Sequence, residues 1–317
     1  MGFERSVAVT RRLRPLPTGP NQPGPPLCGS PNDNPQEVLA APTTGAALPK
    51  PYYEEPGITI YHGDARAILP LMADRSVDFI FTDPPYGHNN NDGTDLIGRI
   101  GLFRGKPYEA GATSDGRPIA NDGAEANDLF RFAMREARRL LRGGGCCCCC
   151  CCGGGGPDPQ FARWSLWMDE AIGFKHAVVW DKGGLGMGWH YRRNYEFVLV
   201  AEVPGAPCRW FGGNDVANVI RLSGIKPTSD DHPTPKPAAL PAKFIGLHTQ
   251  EGDLVLDPFA GGGSTLIAAK RMARRAIGIE VDERWAAMSA DRVRHTTPPL
   301  PGLHEPQPEQ PCLPTRE

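Results

Sequence analysis

Short apolar runs bounded by turn residues alternate with helical stripes from residue 57 onward. The stretches "GITIYHGD" (57–64) and "SVDFIFTD" (76–83) read as strands, with "ARAILPLM" between them as a short helix or turn. From Ala126 to Arg142 the positions Leu129, Phe130, Ala133, Met134, Ala137, Leu140 and Leu141 form a helical stripe whose outer face carries arginines. A run of cysteines comes next, then a helix near Phe161 to Ile172 and the strands "KHAVVW" (175–180) and "YEFVLVAE" (195–202). After "HPTPKP" (232–237), Leu240, Phe244, Ile245 and His248 share a helical face. The strand "DLVLDPF" (253–259) leads through "AGGGST" into the helix "TLIAAKRMA", and the strand "RAIGIE" (275–280) and helix "DERWAAMSADRV" complete the pattern. Such alternation predicts a doubly wound α/β sheet.

Three segments break the rhythm. Residues 15–51 and 297–317 are proline-rich with almost no apolar period, and read as loosely attached tails. They leave residues 52–295 as a single domain. Within it, residues 88–124 are rich in Gly, Asn, Asp and Arg, and long irregular insertions of this kind are usually functional or disordered.

Composition adds exclusions. A formal net charge of -2 means that any nucleic-acid contact comes from local basic patches such as Arg131 to Arg142, Arg192–Arg193 and Lys270 to Arg275. No run approaches the ~20 apolar residues of a membrane span. The N-terminal arginines are followed by no apolar stretch, which argues against a secretory signal. Of the 10 cysteines, Cys146 to Cys152 are consecutive. Consecutive strand residues point to opposite faces, so the run reads as a buried strand rather than a metal site, in a reducing setting.

Two strand ends carry chemistry. Pro84 and Pro85 stop the second strand at Asp83, because proline cannot donate to a ladder. At "LDPFAGGGST" a strand enters a helix through glycines that admit a ligand close to the backbone, and Glu280 ends the next strand, where an acid can accept ribose hydroxyls. Taken alone, the glycine turn fits an NAD-binding protein or a plain tight turn equally well.

Together, "TDPPYG" and "LDPFAGGG" resemble the motifs of the S-adenosylmethionine (AdoMet)-dependent DNA amino-methyltransferases, which modify adenine N6 or cytosine N4. The resemblance covers most of residues 58–295, including "GDARAILPLMADRSVDFIFTDPPYG" and "HPTPKPAALPAKFIGLHTQEGDLVLDPFAGGGST". The catalytic motif precedes the cofactor motif, as in the circularly permuted β-type of that family. The resemblance implies a mostly parallel, seven-stranded Rossmann-like fold. It also implies catalytic roles for Asp83, Pro84, Pro85 and Tyr86. Asp83 and the Pro84 carbonyl would accept from the target amine, and Tyr86 would stack on a base flipped out of double-stranded DNA. Asp257, Phe259, Gly261, Gly262, Gly263 and Glu280 would hold S-adenosyl-L-methionine, with Asp64 at its adenine and Thr234 and Lys236 near its methionine end. For Asp64 an ordinary helix N-cap is the competing reading, and for Lys236 a plain surface lysine.

Relatives acting on cytosine often carry serine at the position of Asp83, so the acid favours adenine N6 over the alternative, cytosine N4. An NAD-dependent oxidoreductase would leave the DPPY turn unexplained, and a non-catalytic nucleic-acid-binding protein would leave both motifs without a purpose. Where many relatives read "GSGTT", this chain has Gly261-Gly262-Gly263-Ser264-Thr265, which keeps the close backbone approach. Target recognition is expected in residues 88–124 and 203–231, with His88, Arg99, Arg104, Lys106 and Arg209 as candidate DNA contacts. A bacterial or phage cytoplasmic enzyme is implied, a monomer or homodimer, working alone or beside a separate restriction endonuclease.

Overall fold

The computed structural model describes residues 47–87, 102–103, 106–107, 119–152, 160–184, 194–225, 232 and 234–298. Most of both expected tails and most of the 88–124 insertion, with His88, Arg99 and Arg104, lie outside the described residues, as does the side chain of Lys106.

The alternation expected from the sequence is realised as one large sheet with helices on both faces, and residues 102–103 and 106–107 form a separate two-stranded antiparallel pair. In chain order the elements are β1 (Tyr53–Glu55), β2 (Ile58–His62), α1 (Ala65–Ile68), β3 (Val77–Thr82), α2 (Ala126–Leu140), β4 (Leu141–Cys152), α3 (Gln160–Ala171), β5 (Phe174–Asp181), β6 (Tyr195–Glu202), β7 (Val219–Arg221), α4 (Ala239–His248), β8 (Leu254–Asp257), α5 (Ser264–Arg271), β9 (Arg275–Glu280) and α6 (Glu283–Arg294). The sheet has nine strands in the order β1-β2-β9-β8-β3-β4-β6-β5-β7. Two more than the expected seven are present because three-residue strands close the two edges: β1 pairs antiparallel with β2, and β7 parallel with β5. Within the sheet only β1 and β6 run against the rest.

The cysteine run is a central strand, buried from Cys146 to Cys151. Its pleat divides the thiols between two cores. Cys147, Cys149 and Cys151 pack with Phe130, Trp164 and Met168 beneath α2 and α3, while Cys146, Cys148 and Cys150 pack with Phe244, Leu266 and Val293 beneath α4, α5 and α6. Burial pushes the thiols of Cys147 to Cys150 well up. Cys146 departs from that expectation: a hydrogen bond from Cys148, assisted by His248, lowers it against the effect of burial. The glycines before the run make a bulge opposite β3, where Val77 pairs with Leu141 but Phe79 with Cys146. Gly144 sits there at φ +74°, and a Cβ would collide with the Pro207 carbonyl, so this position requires glycine.

At the edge of the sheet where β3 and β8 begin, Asp78 is 1% exposed and ties four segments together. Its Oδ1 accepts from Arg142 Nη1 at 2.6 Å and Arg209 Nη1 at 3.2 Å, and its Oδ2 accepts from the Leu254 N–H at 2.9 Å. Arg209 also pairs with Asp253 at 2.5 Å. Arg209, expected to face DNA, is instead a structural clasp, and it stands at the edge of the sheet opposite Asp83. We predict that Asp78→Asn lowers unfolding stability by about 2 kcal/mol, the scale of a lost hydrogen bond to a charged group. Urea denaturation measures it, and an unchanged midpoint would show that the clasp contributes nothing.

Candidate active site

The sheet order reverses direction between β8 and β3: from β8 the chain proceeds through α5 to β9 on one side, and from β3 through α2 to β4 on the other. Ligands of open α/β sheets bind beyond the carboxyl ends of the strands at such a switch point. Because β2, β9, β8, β3 and β4 are parallel, His62, Glu280, Asp257, Thr82 and Cys152 all end on that edge. A cleft opens there, partly open to solvent. Of the residues expected at the site, Asp64, Asp83, Pro84, Pro85, Tyr86, Thr234, Lys236, Asp257, Phe259, Gly261, Gly262 and Glu280 line it. Gly263 does not. It adopts a left-handed φ of +78° as the N-cap of α5, and a Cβ there would strike Ser289.

On the β8–β9 side the acids are braced by backbone. Glu280, 8% exposed, accepts from the Gly261 N–H through Oε2 and from the Asp282 N–H through Oε1, each at 2.8 Å. Burial raises its pKa, while these two donors act in the opposite sense. A carboxylate has about four acceptor sites, so two remain for a ligand's hydroxyls. Asp257 lies beneath the glycine turn. Its Oδ1 accepts from Thr82 Oγ1 at 3.0 Å and from the Phe259 N–H at 3.1 Å, locking the ends of β3 and β8 together. Burial pushes its carboxyl up to about 7.

On the β3 side, Tyr86 donates its hydroxyl to Asp83 Oδ1 at 2.6 Å and meets Trp164 edge-on at 5.9 Å. Asp83 Oδ2 is 2.7 Å from Lys236 Nζ, which also lies 5.4 Å from the Tyr86 ring centroid. Lys236 is therefore no surface lysine: it is 8% exposed and stands beside the DPPY acid. A second carboxylate, Glu196, lies 3.4 Å from the same ammonium and 2.9 Å from Lys182 Nζ. Burial disfavours the charge on Lys236, but Asp83 and then Glu196 more than offset that, so its pKa is raised. Asp64 takes the alternative role weighed for it as well as lining the cleft. Its Oδ1 accepts from the Arg66 N–H at 2.8 Å as the N-cap of α1, and both its oxygens bond the Arg66 guanidinium. Those bonds from Arg66 hold its pKa low.

Sequence reasoning missed Glu196, His232 and Trp285. The antiparallel β6 starts where β4 ends, Glu196 opposite Cys152, and this brings the acid within 3.4 Å of Lys236. An acid at the head of an otherwise apolar strand was the available signal. His232 packs against Trp285 with ring centroids 5.0 Å apart, and a Cβ on Gly261 would come within 3.4 Å of the imidazole, so the two rings flank the glycine turn.

The N6_N4_Mtase family model, described as DNA methylase, matches residues 209–291. Over those residues the chain is similar to this DNA methylase family. The type II methyltransferase M2.DpnII of Streptococcus pneumoniae is 24% identical over 267 residues, covering 78% of this chain and 94% of its own. The DNA adenine methyltransferase YhdJ of Escherichia coli is 27% identical over 270 residues, covering 74% and 82%. The cytosine-N4-specific PvuII DNA methyltransferase superposes with a TM-score of 0.57 at 20% identity, over 76% of this chain and 88% of that one, and so shares the fold. In this chain the family match spans HPTPKP, the glycine turn and Glu280, while the DPPY turn falls before it.

Asp257 gives the cleft a pH signature. Its folded pKa of about 7 stands above the ordinary 3.8, so the native state holds a proton that the unfolded chain releases. That contribution to stability is complete below about pH 4 and is lost as pH rises through 7. Asp257→Asn removes the titration. The variant should gain stability relative to the wild-type protein between pH 4.5 and pH 7.5 in urea unfolding, whereas a constant difference would contradict the raised pKa.

Proposed function

We propose that this protein is a site-specific DNA methylase that transfers a methyl group from AdoMet to the exocyclic amine of a base flipped out of duplex DNA, with adenine N6 as the target. The observation that carries this reading is the single cleft lined by both the DPPY turn and the glycine turn with Glu280. The AdoMet end fits the residues present. Glycines leave the turn without side chains, and Glu280, fixed by two backbone donors, offers its remaining acceptor sites to ribose hydroxyls. Phe259, Trp285 and His232 supply apolar and aromatic surface beside it. Asp64 lines the same cleft, where an adenine amine would share or displace the bonds that Arg66 makes to its two oxygens. When bound, AdoMet supplies a methyl group activated by positively charged sulfur.

The chain's own residues supply orientation and charge. An exocyclic amine is a poor nucleophile because its lone pair is delocalised into the ring. Asp83 and the carbonyl of Pro84 accept from its two hydrogens and aim the lone pair, and the Pro–Pro turn fixes the carbonyl's direction. As positive charge develops on nitrogen, the Asp83 carboxylate stabilises it and then takes the proton. Tyr86 serves twice: its ring offers stacking surface, and its hydroxyl orients Asp83. Lys236 acts from the other side of the same carboxylate, which moves our assignment for it from the methionine end toward the catalytic acid.

The acid of the DPPY turn supports adenine. The second reading, cytosine N4, is favoured by the structural likeness to a cytosine-N4-specific enzyme. Recognition is assigned to residues 88–124 and to the part of 203–231 beyond the Arg209 clasp. Tritiated methyl incorporation into duplex DNA, followed by mass spectrometry of the nucleosides, tests the reading. N6-methyladenine is expected; N4-methylcytosine would move the substrate to the second reading, and no incorporation into any DNA would overturn the function. Independently, Glu280→Gln should weaken AdoMet binding by about 10- to 100-fold, as loss of a charge-assisted acceptor does. Calorimetry showing unchanged affinity would remove Glu280 from the cofactor site.

A further inference from the structure

The cysteine run carries more than a hydrophobic strand. Consecutive cysteines diverge, as expected, but alternate ones share a face. On the α4 side, Cys146 and Cys148 meet a third donor from a distant element, His248 at the end of α4. One ligand atom from each of the three lies within 4.8 Å of the other two, and all three residues are buried. The imidazole is held firmly. It stacks on Phe79 at 5.5 Å with 9° between planes, meets Trp210 edge-on at 5.3 Å, and sets Nδ1 3.3 Å from the Arg209 carbonyl. In the tautomer that donates from Nδ1 to that carbonyl, Nε2 carries the lone pair, the arrangement that orients metal-binding histidines.

We propose that Cys146, Cys148 and His248 bind one soft d10 metal ion, the class that includes copper(I) and zinc(II). Two thiolates and an imidazole suit that class, and both thiols release their protons to solvent on binding. Structural zinc sites take four protein donors, whereas copper(I) accepts three, so the donor count favours the monovalent ion. The ion would join the start of β4 to the C-terminal end of α4, at the edge of the sheet opposite the cleft. The site stands on its own geometry and does not depend on the proposed reaction.

The test uses full-length, chelator-stripped protein with the exposed Cys208 replaced by serine to limit adventitious thiol binding. It is titrated anaerobically with copper(I), and separately with zinc(II), against a chromophoric competitor. One ion per chain is expected from at least one metal, with Cys147→Ala, on the opposite face, unaffected. Cys148→Ala should weaken binding by more than the ~100-fold that loss of an outer partner costs a metal site. X-ray absorption of the loaded protein with Cys146, Cys148 and His248 intact should show two sulfur donors and one nitrogen donor, a readout that needs no core variant. No stoichiometric binding, equal weakening in the two alanine variants, or an all-sulfur shell would overturn the site.

Discussion

The parallel pairing of β3 with β8, Val255 opposite Phe79 and Leu256 opposite Ile80, is the constraint on which the cleft depends. It sets two strand ends side by side although 175 residues separate Thr82 from Asp257. The two motifs leave the sheet at the same level, one turning through prolines and the other through glycines. Thr82 and Asp257 then lock the ends with a buried hydrogen bond. Slip of this register by one residue would send every side chain of β3 to the other face, and Asp83 away from the cleft.

Around that junction the charges are balanced by proximity. Lys236 is buried between Asp83 and Glu196, and Glu196 is shared with Lys182. An unpaired ammonium at this depth would cost several kcal/mol, so the pairing is a condition of its burial. The same arrangement occupies both oxygens of Asp83, one with the Tyr86 hydroxyl and one with Lys236. The acid is thereby fixed in orientation before any ligand arrives, as electrostatic preorganisation requires. On the opposite edge Asp78 performs the structural counterpart, gathering Arg142, Arg209 and the Leu254 N–H.

Much of this was legible in the sequence because it lies in local signals. The strand and helix periods, the proline stop after Asp83 and the glycines before α5 each report on a few adjacent residues. What escaped depends on long-range pairing. The edge strands β1 and β7 are three residues each, too short for a period of two to register. Glu196 reaches Lys236 only because β6 is antiparallel to β4, and Lys236 is buried only because two acids from β6 and the DPPY turn converge on it. Arg209 looked like a DNA contact by residue type; its partners Asp78 and Asp253 are far from it in sequence. The divergence of neighbouring cysteines says nothing about alternate ones, and Cys146 and Cys148 meet a histidine from another element.

The central claim is that Asp83 acts on the target amine and not on the methyl donor's anchoring. Single-turnover methyl transfer by an Asp83→Ala protein saturated with AdoMet tests it most directly, with AdoMet affinity and the melting transition measured on the same sample. The account predicts a cooperative fold, near-normal AdoMet affinity and transfer reduced by at least about 100-fold, the scale of losing one positioned catalytic group. Transfer at the wild-type rate would contradict it.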